Sequence, residues 1–175
     1  NLQPNTTYYY YFTYQTYQSA VGKTKTLPIA GTPTNAFTFA VASCQSFTDG
    51  HYAAYKDMVN QQPDVIIHTG DYIYEQDWLG GVRNIPIVEA KDLDDYRQLY
   101  ATYKQDKALQ AAHACAPWLM IWDDHEVDND WGGKFNQENM DEETFVKRKV
   151  AAFKAYFEHM PLRFAVKPKN NKVQL

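Results

Sequence analysis

A chain of 175 residues, 45% hydrophobic and 22% charged, is long enough for one well-filled core and part of a second. No apolar run approaches the roughly 20 residues that a membrane span requires, so no membrane-spanning helix is expected. With a net charge of −4 and no basic stripe, the chain is not expected to take a sequence-specific nucleic-acid partner. A phosphate-bearing substrate stays open, because bound cations invert a local field. Tyrosine is abundant, at 14 residues, which leans toward an extracellular protein. The two cysteines, Cys44 and Cys115, make no disulfide framework and read as unlinked core thiols. No signal peptide is visible, and the chain opens as if inside a fold already under way.

In chain order, Leu2-Gln3-Pro4-Asn5-Thr6-Thr7-Tyr8 leads into a tyrosine-rich strand ending near Tyr17. The Leu-x-Pro-x-Thr-x-Tyr spacing resembles the tyrosine corner of immunoglobulin-like sandwiches, where a tyrosine bonds back to the preceding corner. A second strand is expected over Val21 to Thr26. Two strands cannot bury a core alone, so residues 1–27 read as the truncated end of an immunoglobulin- or fibronectin-like β-domain. Residues 28–36, rich in Pro, Gly and Thr, read as a linker. Residues 37–175 then read as the first part of a larger α/β domain.

Within that domain Phe37 to Ala42 is a short buried-type strand, and Ala53 to Asn60 a helix with Tyr52, Tyr55, Met58 and Val59 on one face. Asp64 to His68 is a second apolar strand, Leu93 to His113 a pair of helices, and Trp118 to Trp122 a third strand. Glu142 to His159 is an amphipathic helix with Val146, Val150, Phe153 and Phe157 on one side, followed by a short strand over Leu162 to Val166. Strands alternating with helices predict an α/β domain whose central sheet is covered on both faces.

Each of the three apolar strands empties into a polar cluster, and sites in open α/β sheets form where strand ends converge. The clusters are Ser43-Cys44-Gln45, His68-Thr69-Gly70-Asp71-Tyr72-Ile73-Tyr74-Glu75, and Asp123-Asp124-His125-Glu126-Val127-Asp128-Asn129-Asp130. Carboxylates brought together in this way repel one another unless cations hold them. Asp71 and Tyr74 can reach one ion together. A phenolate suits a trivalent ion such as iron, and Asp71 can bridge to a second ion. Cys44 can supply a thiolate if a cation keeps it deprotonated. Asp124 and Asn129 offer oxygen donors for a hard divalent ion such as calcium or magnesium. His125 can be a ligand or can protonate a leaving alkoxide. Taken singly these residues have plainer readings: a core thiol for Cys44, a turn residue for Asp71, a solvated acidic loop for 123–130. His51, His113 and His159 read as structural or surface residues, and Cys115 as a buried thiol.

Gly70-Asp71-x-x-Tyr74 resembles the Gly-Asp-x-x-(Asp/Tyr) block of calcineurin-like metallophosphoesterases, and Asp124-His125-Glu126 sits where that superfamily has Asn-His-(Asp/Glu). The three clusters in this order and spacing, with Asp95-Tyr96-Arg97 through Tyr103 and His159-Met160-Pro161-Leu162-Arg163, resemble the PhoD family of alkaline phosphatases and phosphodiesterases. The resemblance covers nearly the whole chain. It implies a metallophosphoesterase-type sandwich after an immunoglobulin-like domain, and a bacterial protein that is secreted or periplasmic. It implies iron held by Cys44, Asp71 and Tyr74, and calcium held or bridged by Asp71, Asp124 and Asn129. His125 and Asp124 would be catalytic. The expected reaction is hydrolysis of phosphomonoesters or phosphodiesters by a metal-bound hydroxide, on small phosphate esters or extracellular phosphodiester polymers. The family's later ligand blocks are absent, so a protein ending at Leu175 is expected to have little activity. The competing reading is a non-catalytic secreted module that binds calcium through residues 123–130 or adheres through its aromatics. A dehalogenase-like or other α/β hydrolase is disfavoured, because no Gly-x-Ser-x-Gly elbow is present.

Overall fold

The computed structural model of the chain describes residues 2–77 and 80–162. They divide into two compact units, each assembled from three segments of the sequence.

The first unit comprises Asn1–Val41, Tyr52–Ile67 and Asp106–Leu119. Strand β1 (Thr7–Tyr10) pairs antiparallel with β4 (Gly22–Lys25), Tyr8 opposite Thr24. Between them β2 (Thr13–Tyr14) and β3 (Tyr17–Gln18) form a minimal hairpin. The Tyr8 hydroxyl accepts the Gln3 N–H at 2.7 Å, a bond directed back toward the preceding corner. Helix α1 (Ala53–Asn60) packs on α3 (Lys107–Cys115), which begins where the Asp106 carboxylate accepts from the N–H groups of Ala108 and Leu109. Trp118 seals the pair, with Tyr55 on one side and the His113 ring stacked 4.0 Å away. That contact gives His113 its structural role.

Strands β5 (Phe39–Ala42), β6 (Val65–His68) and β7 (Trp118–Met120) form a sheet in that order. The ladder is parallel, with Asp64 N bonding Thr38 O at one end and Thr69 N bonding Ala42 O at the other. The expectation of a sheet covered on both faces is not met. Phe39, Val41 and Leu119 are 58, 56 and 60% exposed, so one face is bare among the described residues. Apolar residues on alternate positions mark a face able to be buried, and the sequence pattern alone does not supply the layer that buries it. The last residue of each strand, Ala42, His68 or Met120, belongs to a segment of the second unit.

The second unit comprises Ala42–His51, His68–Gln105 and Met120 onward. Helix α2 (Leu93–Tyr103) opens with a capping box between Asp92 and Asp95, and packs on α4 (Glu142–His159), capped by Asp141. Trp122 meets the α4 rings of Phe153, Tyr156 and Phe157 edge-on at 5.2, 5.7 and 6.4 Å. The buried stripe of α4 is Phe145, Arg148, Ala152, Phe153, Ala155 and Tyr156; it keeps Phe153 of the expected face and is rotated away from Val146, Val150 and Phe157, which are half-buried. The rotation places a fully buried arginine in the stripe, which is tolerable only because acidic partners meet it. His159 stacks on Tyr100 at 5.0 Å, again a structural role. The strand expected over Leu162 to Val166 and the motif residue Arg163 fall outside the described residues, apart from Leu162, which is in no strand.

His68, at the end of β6, has no exposed surface, and burial pushes its imidazole pKa down to about 4. Between that value and the ordinary 6.5 the unfolded chain binds the extra proton, so stability falls as pH is lowered through this window. The loss from pH 6.5 to 4 should reach about 3 kcal/mol at most. Urea titrations across this range should show a flatter profile for His68→Gln. Parallel profiles would remove His68 as the source.

Candidate metal centre

The three polar clusters meet within the second unit, and their turns are built for close approach. After β5, Cys44 adopts φ +52°; after β6, Gly70 adopts φ +111° and Asp71 φ +56°. A left-handed backbone is sparsely populated for a residue such as cysteine and better tolerated by aspartate, and residues held there are often found at functional sites. Gly70 is required twice over, since a Cβ there would lie 2.5 Å from Asp123 Cβ and 2.6 Å from Asp123 N. The first two turns are laced together by Cys44 N to Gly70 O and Gln45 N to Asp71 O, both 3.1 Å, and by Gln45 Nε2 to Tyr72 O at 2.7 Å.

A single buried carboxylate joins the second turn to the third. Glu126 Oε2 accepts from Asp71 N (3.2 Å) and Asp123 N (2.9 Å), and Oε1 from Tyr72 N (2.7 Å). Burial pushes its pKa up to about 7 against the pull of those three amides. The Tyr103 hydroxyl, buried in α2, likewise accepts from Phe47 N (3.3 Å) and Tyr74 N (3.0 Å).

Asp71, Asp124 and His125 each offer a ligand atom within 4.8 Å of the others. The Tyr74 hydroxyl donates to Asp71 Oδ2 at 3.3 Å, and its ring stacks on His125 at 4.2 Å. Cys44 hydrogen-bonds the Asp71 carboxyl and adjoins Tyr74. Burial raises the pKa of Asp71, and Asp124 and Asp123 raise it further, with Cys44 and His125 opposing. Burial also raises the Tyr74 phenol, with the charges of Asp71 and Cys44 adding to it. Asp71 Oδ1 is buried and has no hydrogen-bond partner among the described residues. A buried acceptor without a donor, ringed by acidic groups and a phenol, fits a cation.

His125 is oriented from behind. Its Nδ1 lies 2.7 Å from Glu75 Oε2, and Glu75 Oε1 accepts the Asn129 N–H at 3.1 Å. Burial disfavours the imidazolium, but the Glu75 hydrogen bond and charge, aided by Asp124 and Asp71, outweigh it and raise the pKa. Asp124 Oδ2 accepts from Asp130 N at 2.5 Å, which folds the acidic loop back on itself.

Of the expected site residues, Asp71, Asp124 and His125 converge, and Tyr74 and Cys44 join them through Asp71. Asn129 enters through its backbone, while its side-chain Nδ2 donates to Asp130 Oδ2 at 3.4 Å. Cys44 is exposed rather than a core thiol, because its left-handed turn lifts it off the sheet end. Cys115 is half-buried, its Sγ donating to Ala112 O at 3.2 Å. Sequence reasoning gave no role to Glu75, Glu126 or Tyr103. The two glutamates stand inside the motifs it singled out, and Tyr103 inside a helix it expected.

A profile of the PhoD-like phosphatases matches residues 39–174. The chain is 45% identical to alkaline phosphatase D of Bacillus subtilis (strain 168), over 99% of this chain and 31% of that protein. The solved structure of PhoD superposes with a TM-score of 0.92 at 45% identity, over 99% of this chain and 34% of that one. The chain thus spans about a third of the length of the relatives it matches.

Replacing Glu126 by Gln leaves one side-chain acceptor oxygen for three backbone amides. With an unsatisfied buried donor costing about 1–3 kcal/mol, the variant should lose about 2–4 kcal/mol in a urea titration. A loss below about 0.5 kcal/mol would show that the carboxylate does not hold the turns together.

Proposed function

The chain belongs to the PhoD-like phosphatase family, and on that premise we propose that the protein carrying it hydrolyses phosphate esters, monoesters or diesters, with the help of bound cations. The observation that carries this reading is the buried Asp71 Oδ1, without a hydrogen-bond partner among the described residues, beside Asp124 and His125. Cys44, Asp71 and Tyr74 would hold a ferric ion, and Asp71, Asp124 and Asn129 a calcium ion. Such cations supply charge that acidifies a water molecule and neutralises the phosphoryl oxygens. A bound cation supplies the charge that draws the protons from the Cys44 thiol and the raised Tyr74 phenol, and a phenolate oxygen suits a trivalent ion such as iron.

His125 serves as the proton donor to the leaving alkoxide. Glu75 holds Nδ1 and orients the ring, and its hydrogen bond and negative charge favour the protonated, proton-donating form. Substrates would be small phosphate esters or extracellular phosphodiester polymers, met by a protein outside the cytoplasm. No helix among the described residues is long and apolar enough to cross a membrane. Residues 1–27 are proposed as the end of an immunoglobulin-like domain, 28–36 as a linker and 37–175 as the first part of the catalytic domain. The Tyr8–Gln3 bond supports the first of these. A calcium-only adhesive module would leave the Glu75–His125 pair without a task.

The test is hydrolysis of 4-nitrophenyl phosphate and bis(4-nitrophenyl) phosphate by the full-length protein and its Asp71→Asn variant. Loss of a bridging charge should lower kcat/KM by roughly 10³-fold or more. Activity kept within about tenfold would overturn the assignment of Asp71.

A further inference from the structure

Arg148 is the largest fully buried side chain in the described residues, 2% exposed, and the reaction itself gives it no task. It lies on α4. Its Nη1 is 2.9 Å from Glu89 Oε1, 3.2 Å from Asp128 Oδ1 and 3.6 Å from Glu138 Oε2. These are charge contacts rather than aligned hydrogen bonds. Its Nε donates to the Tyr96 hydroxyl at 3.0 Å, and that hydroxyl donates to the carbonyl of Val127.

The two principal partners lie on the two segments that hold His125. Glu89 sits in an arm paired antiparallel with the Glu75 segment, through Ala90 N to Glu75 O (2.6 Å), Asp77 N to Val88 O (2.9 Å) and a bridge between Gln76 and Glu89. Asp128 and Val127 belong to the turn that carries His125 and Asn129. Across the gap between those segments, the Glu75 carboxylate grips His125 Nδ1 with one oxygen and Asn129 N with the other. Arg148 therefore clamps from outside the same two segments that Glu75 joins from inside.

We propose that Arg148 is a positioning residue. Through Glu89 on one side and Asp128 and Tyr96–Val127 on the other, it fixes the spacing of Glu75 from the 125–129 turn. It thereby sets the aim of His125. A buried ion pair contributes little net stability, and the rigid guanidinium spans from Nε on the Tyr96 hydroxyl to Nη1 between Glu89 and Asp128, a reach that the single ammonium of a lysine does not reproduce. The inference rests on the reading of His125 as proton donor to the leaving group.

The test uses the full-length, metal-loaded protein and three variants: Arg148→Lys, Glu89→Gln and, as reference, His125→Asn. Glu89→Gln keeps the guanidinium compensated by Asp128, so it stands in if Arg148→Lys does not fold. Each variant is assayed on a methyl and a 4-nitrophenyl phosphate ester, because the poor leaving group needs the proton and the good one does not. Hydrogen exchange of peptides spanning residues 125–130 is followed in the metal-free protein. The expected result is a kcat on the methyl ester lowered roughly 10- to 100-fold, part of the about 10²–10⁴ that positioned proton transfer supplies. The nitrophenyl ester should change less than about threefold, and exchange in 125–130 should quicken. Equal losses on both esters, or no loss with unchanged exchange, overturn the proposal while leaving the reading of His125 intact. If His125→Asn itself fails to discriminate the esters, the proton-donor reading falls and the inference with it.

Discussion

Everything at the candidate centre depends on one buried carboxylate. Glu126 has no exposed surface, and its two oxygens take three backbone N–H groups from two separate turns. An anion in that position is tolerable because the main chain surrounds it with fixed dipoles. In return it draws the turn bearing Asp71 against the turn bearing Asp124, at a separation that only a glycine at position 70 allows. The left-handed conformation of Asp71 follows from the same closeness, and aims its carboxyl at Asp124 and His125.

The acidic groups then fall into two kinds. Glu126 and Glu75 are satisfied from within the protein, one by amides and the other by an imidazole and an amide. Asp71 is met only in part: its carboxyl has a hydrogen bond from Cys44 and a long contact from Tyr74 at Oδ2, while Oδ1 has no partner among the described residues. The supporting carboxylates are thus satisfied by donors of the fold, and a buried oxygen of the neighbouring Asp71 is the one on which the proposed cation site rests. Burial raises Asp71 and Tyr74 together, so both protons leave most easily when a positive charge replaces them. The support continues outward to Tyr103 beneath Tyr74, and to Arg148 behind the His125 turn.

Much of this was legible in the sequence because it is local. Helices α1 and α4 begin and end where apolar periodicity puts them, and the three clusters announce themselves as polar residues directly after apolar strands. The roles of Glu75 and Glu126 were hidden, although both lie inside the motifs. What makes a glutamate a clamp is its partners 54 and 55 residues away in sequence, and no spacing rule encodes them. Arg148 was hidden for a related reason. Hydropathy marks an arginine as outward-facing, so the expected stripe held Val146, Val150, Phe153 and Phe157, of which Phe153 is buried, and Glu89 and Asp128 explain the burial of Arg148. The bare sheet face at Phe39, Val41 and Leu119 shows the opposite limit, since an apolar pattern records a capacity for burial rather than the layer that provides it.

The most direct test of the account is elemental analysis and the visible spectrum of the full-length protein purified from its native host, beside its Tyr74→Phe variant. The account predicts iron with calcium in the parent protein, and a broad visible band from a phenolate bound to iron that vanishes in the variant. Calcium alone in a colourless parent, or a band that survives the loss of the Tyr74 hydroxyl, would contradict it.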